Sequence, residues 1–324
     1  MSDADRGGPA PLVVVGPTAS GKSALALELA RRTGAEIVSV DSMSVYRGMD
    51  IGTAKPTAAE RATVAHHLVD IVDPSVEFTV GEFQRACTTV LDDLRRRGRP
   101  AVLVGGTGLY VRAVVDDLSI PGRFPDVRAQ LEAEPDTAAL HDRLAQLDPL
   151  AATRMEPSNR RRVVRALEVT LGSGRPFSAF GPGLEQYPPR PFRLVGLRMA
   201  RDVLDARIAA RLEAQLAAGW LDEVRALRAR PGGLSRTAAE ALGYRELGAH
   251  LDGHATYDEA VAETLRRTRR FARRQERWFR RDPRITWFDV GGAGPVADDC
   301  PGADGDDNSL VVVDELLRDW APCT

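Results

Sequence analysis

Eight consecutive residues near the start of the chain, Gly16-Pro17-Thr18-Ala19-Ser20-Gly21-Lys22-Ser23, fit the spacing G-x-x-x-x-G-K-[ST] that cradles phosphate. In such a loop the backbone N–H groups and the start of the following helix converge on one spot and bind a diphosphate or triphosphate. Lys22 adds a mobile point charge, and the Ser23 hydroxyl is a ligand for Mg²⁺. The flanks agree, with the apolar run Leu12-Val13-Val14-Val15 before the loop and an amphipathic stretch, Ser23 to Arg32, after it. The cradle alone leaves the phosphate compound open. An NTP hydrolase offers a second apolar strand ending in Asp to hold the metal, whereas here Val102-Leu103-Val104 runs into Gly105-Gly106-Thr107. The acid comes instead at Asp41, after Val38-Ser39-Val40, on the same sheet edge as the cradle. Asp41 suits a base beside the phosphate or a metal ligand; the plain alternative is that Asp41 and Ser42 cap the following turn.

A second chemistry is written in arginine. The segment Tyr257 to Arg281 carries Arg266, Arg267, Arg269, Arg270, Arg273, Arg274, Arg277, Arg280 and Arg281. At about 100° per residue these fall within about 160° of arc, from −60° to +100° about Arg266. Leu265, Phe271, Ala272, Trp278 and Phe279 lie on the other side and read as the core-facing stripe. A charge run is usually a solvated face, but only Glu263 and Glu276 interrupt this one, and a polyphosphate partner would relieve its self-repulsion. Arg160, Arg161, Arg162 and Arg165 open another helix. The net charge of −2 hides both clusters, because Asp298, Asp299, Asp304, Asp306 and Asp307 gather near the end. Lys22 and Lys55 are the only lysines among 44 basic residues, so both positions favour a compact ammonium over a guanidinium.

The elements that must position these groups alternate. Short β-branched runs at 12–15, 36–40 and 101–104 are separated by helical stretches such as Glu82 to Arg97. That pattern predicts an α/β fold: a doubly wound parallel sheet built on a P-loop, with ligands beyond the carboxyl ends of the strands. Gly and Pro clusters at Pro121-Gly122 and Gly181-Pro182-Gly183 bracket a mainly helical insertion domain. The expected division is 1–117 for the first part of the core, 118–192 for the insertion and 193–290 for the rest of the core with its basic helix. The acidic stretch 291–324 is expected to be a flexible tail. Cys87, Cys300 and Cys323 are odd in number and far apart, which argues against a disulfide framework or a cysteine zinc site. With a polar, acidic start and no long apolar run, a cytoplasmic monomer with no membrane partner is expected.

The stretch Asp41-Ser42-Met43-Ser44-Val45-Tyr46-Arg47-Gly48-Met49-Asp50-Ile51-Gly52-Thr53-Ala54-Lys55-Pro56 resembles the signature of the tRNA dimethylallyltransferase family. The P-loop, His66-His67-Leu68-Val69-Asp70, Gly105-Gly106-Thr107-Gly108-Leu109-Tyr110 and Leu242-Gly243-Tyr244-Arg245 resemble the same family, so that matching blocks run from about residue 12 to 288. The resemblance implies transfer of a dimethylallyl group from dimethylallyl diphosphate to N6 of adenosine 37, in a tRNA anticodon stem-loop, with Mg²⁺ present. It implies Asp41 as the base, Thr18 and Arg211 acting on the diphosphate, and tRNA contacts at Asp41, Ser42, Met43 and Ser44. Further contacts are implied at Thr107, at Arg128, at Arg161, Arg162, Val163, Val164 and Arg165, and at Glu240, Ala241, Leu242, Gly243, Tyr244 and Arg245. Many members carry Gln where this chain has Ser44, so the long amide is missing from that contact.

Other signals are weaker. His66-His67 with Asp70 and Asp73 suggests a metal site, but adjacent side chains point to opposite sides of regular structure, which favours packing or capping. Lys55 is expected to touch an anion. A P-loop kinase of a small metabolite or nucleoside, and a non-catalytic RNA-binding protein, are the competing functions.

Overall fold

The computed structural model describes residues 9–181, 183–291 and 307–320. They divide into two compact units, one ending at Val115 and resuming at Pro189, the other Asp116–Pro188. In the larger unit β1 (Leu12–Val15), α1 (Lys22–Thr33), β2 (Glu36–Ser39), α2 (Ala58–Thr63), β3 (His66–His67), α3 (Val80–Arg96), β4 (Ala101–Val104) and α4 (Gly108–Val115) follow in turn. The second unit contains α5 (Pro125–Ala133), α6 (Thr137–Leu147), α7 (Pro149–Thr153) and α8 (Arg160–Ser173). The chain then returns through β5 (Arg193–Arg198), α9 (Arg201–Ala217), α10 (Trp220–Arg228), α11 (Arg236–Ala239), α12 (Tyr244–Leu251), α13 (Tyr257–Phe279), β6 (Ile285–Asp289) and α14 (Asp307–Trp320). Among the described residues no helix is long and apolar enough to cross a membrane.

Among the described residues six parallel strands pair in the order β3-β2-β4-β1-β5-β6. Every residue of β1 is buried, as a strand covered on both faces requires. Alternation along it feeds two cores: Val13 and Val15 join Phe83, Leu94 and Leu103 on one face, while Leu12 and Val14 join Leu25, Leu29 and Val102 on the other. Because β4 lies between β1 and β2, the loops after these three strands stand side by side at the carboxyl edge.

The stretch expected to be a flexible tail is corrected in part. Helix α14 packs Val312, Val313, Leu316 and Trp320 into the core shared with α1. The Trp320 indole donates to the Ala10 carbonyl at 2.7 Å, and Arg32 pairs with Asp314 at 2.6 Å. Its apolar side chains recur at helical spacing and bury on α1, which outweighs the Gly- and Asp-rich composition before it. Asp298, Asp299, Cys300, Asp304, Asp306 and Cys323 lie outside the described residues. Cys87 is a buried free thiol whose pKa is pushed up to about 12 by desolvation.

In the second unit, Leu131, Leu140, Leu144, Val163, Val164 and Leu167 form a core of their own. One group of its charges pairs internally: buried Glu168 accepts the Phe124 N–H at 2.9 Å and pairs with Arg165 at 2.8 Å and Arg128 at 3.2 Å.

Candidate active site

The cradle follows β1 directly. Gly16, Ala19 and Gly21 have φ of 146°, 63° and 86°, the left-handed turns that fold the loop back on itself. Helix α1 then begins without a side-chain cap and without an acid in its first turn. Elsewhere the same chain supplies full capping boxes, with Thr57 and Glu60 at α2, Thr79 and Glu82 at α3, and Thr256 and Glu259 at α13. The first N–H groups of α1 are thus left for an anion. Ser20 Oγ is also buried with no hydrogen-bond partner.

Lys22 donates to the Pro17 carbonyl. Its pKa is lowered to about 7, by burial first and then by the Arg211 cation, against the opposing pull of Asp41. Burial and the Arg211 cation thus disfavour the charged form of Lys22, and an anion bound beside it would favour that form. The loop is held from behind, where Ala19 packs with Leu204 and Ile208 of α9 and Ala272 of α13.

Asp41 follows β2. One of its oxygens, Oδ1, accepts the Met43 N–H at 2.8 Å, so the turn-capping role is real; Oδ2 has no hydrogen-bond partner among the described residues. Thr107 fixes the neighbouring residue by accepting the Ser42 N–H at 3.1 Å. The loop after β4 also has a physical reason to lack an acid: a Cβ on Gly105 would lie 2.0 Å from the Val40 carbonyl oxygen. Glycine lets the ends of β2 and β4 close together, and the carboxylate is displaced to Asp41.

The segment from Asp41 to Pro56 is braced at several points. Glu223 accepts the N–H groups of Asp50 and Ile51 at 2.9 and 2.8 Å and the Tyr244 hydroxyl at 2.6 Å. The Trp220 ring fills the space a Cβ on Gly52 or Gly243 would need, at 2.2 and 2.0 Å. Lys55 does touch anions, and they are internal: its ammonium pairs with Asp50 at 2.7 Å and Asp70 at 2.5 Å while donating to the Tyr46 carbonyl. Burial alone would raise the Asp70 carboxyl, but hydrogen bonds from Lys55 and Arg61 outweigh it and hold the group below the usual range. Lys55→Met is expected to destabilise the fold by about 2–3 kcal/mol at neutral pH, because a buried ammonium is lost while its partly solvated carboxylates remain. A carboxyl whose pKa is depressed on folding stabilises the fold above its unfolded value and loses that contribution as pH falls through its folded one. The gap between variant and parent melting temperatures should therefore shrink as pH drops below about 4.

His66 and His67 are not brought together as ligands. His66 Nδ1 contacts the Val64 carbonyl at 2.8 Å, and His67 Nε2 contacts Glu36 at 2.7 Å. No group of three His, Cys, Asp or Glu side chains that could hold a metal occurs among the described residues. The donors beside the cradle are the exposed Ser23 hydroxyl and Asp41. That set fits a divalent cation that keeps most of its waters and takes phosphate oxygens; it does not fit an all-protein cage.

The basic stripe is narrower than nine. Arg266, Arg270, Arg273, Arg274, Arg277, Arg280 and Arg281 are exposed. The two at the edges of the arc turn inward: Arg267 pairs with Glu246, 5% exposed, and Arg269 reaches the Asp205 carbonyl at 3.5 Å. Arg266 and Arg280 pair with Glu263 and Glu276 of their own helix. Arg270, Arg273, Arg274, Arg277 and Arg281 have no ion pair among the described residues.

Several residues expected at the tRNA surface have buried side chains. Val163, Val164, Ala241 and Tyr244 are buried, the valines in the core of the second unit and Tyr244 as the strut beneath Glu223. Ser44 is 6% exposed, and its carbonyl accepts the Asp70 N–H at 3.1 Å. Arg161, Arg162, Glu240 and Arg245 are exposed, while Ser42, Met43, Thr107, Arg128, Arg165 and Leu242 are partly so. Sequence reasoning missed Gln275, which accepts the Thr18 N–H at 2.8 Å and donates to the Gly106 carbonyl at 3.0 Å. Its one signal is a polar residue in the middle of an apolar helix face.

The chain is similar to several known proteins. A family model described as IPP transferase matches residues 44–282. The chain is 52% identical over 295 residues to a tRNA dimethylallyltransferase of Streptomyces coelicolor, covering 90% of this chain and 93% of that one. Among solved structures it is similar to a tRNA isopentenylpyrophosphate transferase of Bacillus halodurans, with 40% identity, a TM-score of 0.67, and coverage of 95% and 96% of the two chains. It is also similar to a eukaryotic dimethylallyltransferase described as acting on tRNA, with 25% identity, a TM-score of 0.72, and coverage of 86% and 73%.

Proposed function

This chain belongs to the IPP transferase family, whose relatives are tRNA dimethylallyltransferases, and from that premise we propose that it transfers a dimethylallyl group from dimethylallyl diphosphate to N6 of adenosine 37 in tRNA. Diphosphate is released. The observation that carries this reading is the pairing of an uncapped P-loop helix with a carboxylate after β2 and none after β4. A metal-bound nucleoside triphosphate calls for a carboxylate after β4, and a prenyl diphosphate with an amine acceptor calls for one beside the cradle, as after β2.

The chemistry follows from the charges present. The N6 amine attacks carbon 1 of the prenyl group as its bond to the diphosphate oxygen breaks, and the proton leaving nitrogen goes to Asp41 Oδ2. Negative charge growing on the departing oxygen meets the loop N–H groups, Lys22, Arg211 and the Thr18 hydroxyl. The Ser23 hydroxyl, with substrate oxygens, would hold Mg²⁺, which would supply further neutralisation of the diphosphate. A base must leave its stack to bring N6 to a half-buried acid, which favours an unpaired anticodon loop over a duplex. The exposed arginines of α13 bind backbone phosphates and read no sequence.

A direct test incubates unmodified tRNA with labelled dimethylallyl diphosphate and, separately, with γ-labelled ATP. Label is expected in tRNA from the prenyl donor alone. Transfer from ATP alone, to any acceptor, would mean a kinase.

A further inference from the structure

Gln275 stands about 180° around α13 from Arg266, the middle of the exposed arginine face. It is 6% exposed, and both ends of its amide are used: Oε1 accepts the Thr18 N–H and Nε2 donates to the Gly106 carbonyl oxygen. One side chain thus joins α13 to the loops after β1 and β4. The neighbouring residues are shaped around this joint. A Cβ on Gly106 would lie 2.0 Å from Gln275 Nε2, and one on Gly108 would lie 2.2 Å from the ring of Trp278. Ala272, one turn before Gln275, is fully buried in the cluster that contains Ala19 of the loop.

We propose that Gln275 is a positioning residue for the transfer reaction: by taking the Thr18 N–H it fixes one side of the P-loop and aims the remaining amides, from Ala19 to Ser23, at the diphosphate. A P-loop works only when its N–H groups converge on one point, and a donor left free at Thr18 would offer the loop other arrangements. The same helix then serves both substrates, its outer face meeting RNA phosphates and its inner face setting the cradle. This inference rests on the reading of the loop as a diphosphate site.

Gln275→Met keeps the length and apolar bulk of the side chain and removes both hydrogen bonds. Titration with pyrophosphate and Mg²⁺ is expected to give a Kd about tenfold weaker than the parent. Anticodon stem-loop affinity should stay within twofold, and KM should rise for dimethylallyl diphosphate but not for tRNA. Gly106→Ala displaces the amide from its other end and should show the same pattern, with the double variant no weaker than either single one because all three lose one joint. A pyrophosphate Kd within twofold of the parent in Gln275→Met overturns the inference and leaves the functional reading standing. Equal loss of pyrophosphate and RNA binding in both variants, with a lower melting temperature, assigns Gln275 to the core and also overturns it. If the parent protein itself shows no saturable uptake of pyrophosphate, the functional reading falls and the inference with it.

Discussion

Asparagine in place of Asp41 is expected to slow prenyl transfer about 10²–10⁴-fold, the range of general-base catalysis, while tRNA affinity stays within a few fold. The geometry makes this a clean exchange. Asp41 Oδ1 accepts the Met43 N–H, and an asparagine carbonyl keeps that bond; Ser42 remains tied to Thr107. What is lost is a second oxygen able to take the proton from N6. Removing one negative charge beside Lys22 and Arg211 also leaves the cradle more positive, so affinity for the diphosphate should hold or tighten. Single-turnover rates at saturating tRNA, set beside separate binding titrations of both substrates, would show the pattern. Asp41→Ala, which also frees the Met43 N–H, should weaken tRNA binding as well. If Asp41→Asn lowered tRNA affinity as far as turnover, Asp41 would be a turn cap and nothing more.

The parts of this site legible in the sequence are those whose work is done locally. A P-loop is recognised because the strand, glycines and helix start that make it are contiguous, and the parallel sheet because β1, β2 and β4 each announce burial in four residues. The arginine arc on α13 was equally visible, but a helical wheel does not tell which members at its edges turn inward. Arg267 does so because Glu246, 21 residues away, is buried on α12. Gln275 is the opposite case, a polar residue on the apolar face whose partners lie 257 and 169 residues distant. Helix α14 carried its signal openly in Val312, Val313, Leu316 and Trp320, yet the acidic, glycine-rich composition before it obscured the spacing. The internal anions of Lys55 follow from turns, with Leu68 and Asp70 at positive φ, that no periodicity encodes.

Neutralising Arg270, Arg273 and Arg277 together to glutamine is expected to weaken tRNA binding about 100-fold at low salt and to flatten its salt dependence. These three lie within about 60° of arc and about 10 Å of helix axis, and all are exposed without an ion pair among the described residues. Each lost phosphate contact removes about 0.7–0.9 from the slope of log K against log salt, so the triple variant should lose roughly 2–3. The single-strand figure applies to the loop and the duplex figure to the stem, so the size of the change indicates which part α13 holds. Arg267→Gln supplies the contrast: it leaves the buried Glu246 carboxylate without its cation, and should lower the melting temperature with little effect on the slope. Turnover at saturating tRNA should remain near the parent rate in the triple variant, because phosphate contacts position the substrate without taking part in proton transfer. An unchanged slope would return these arginines to the role of an ordinary solvated face and require RNA to be held elsewhere.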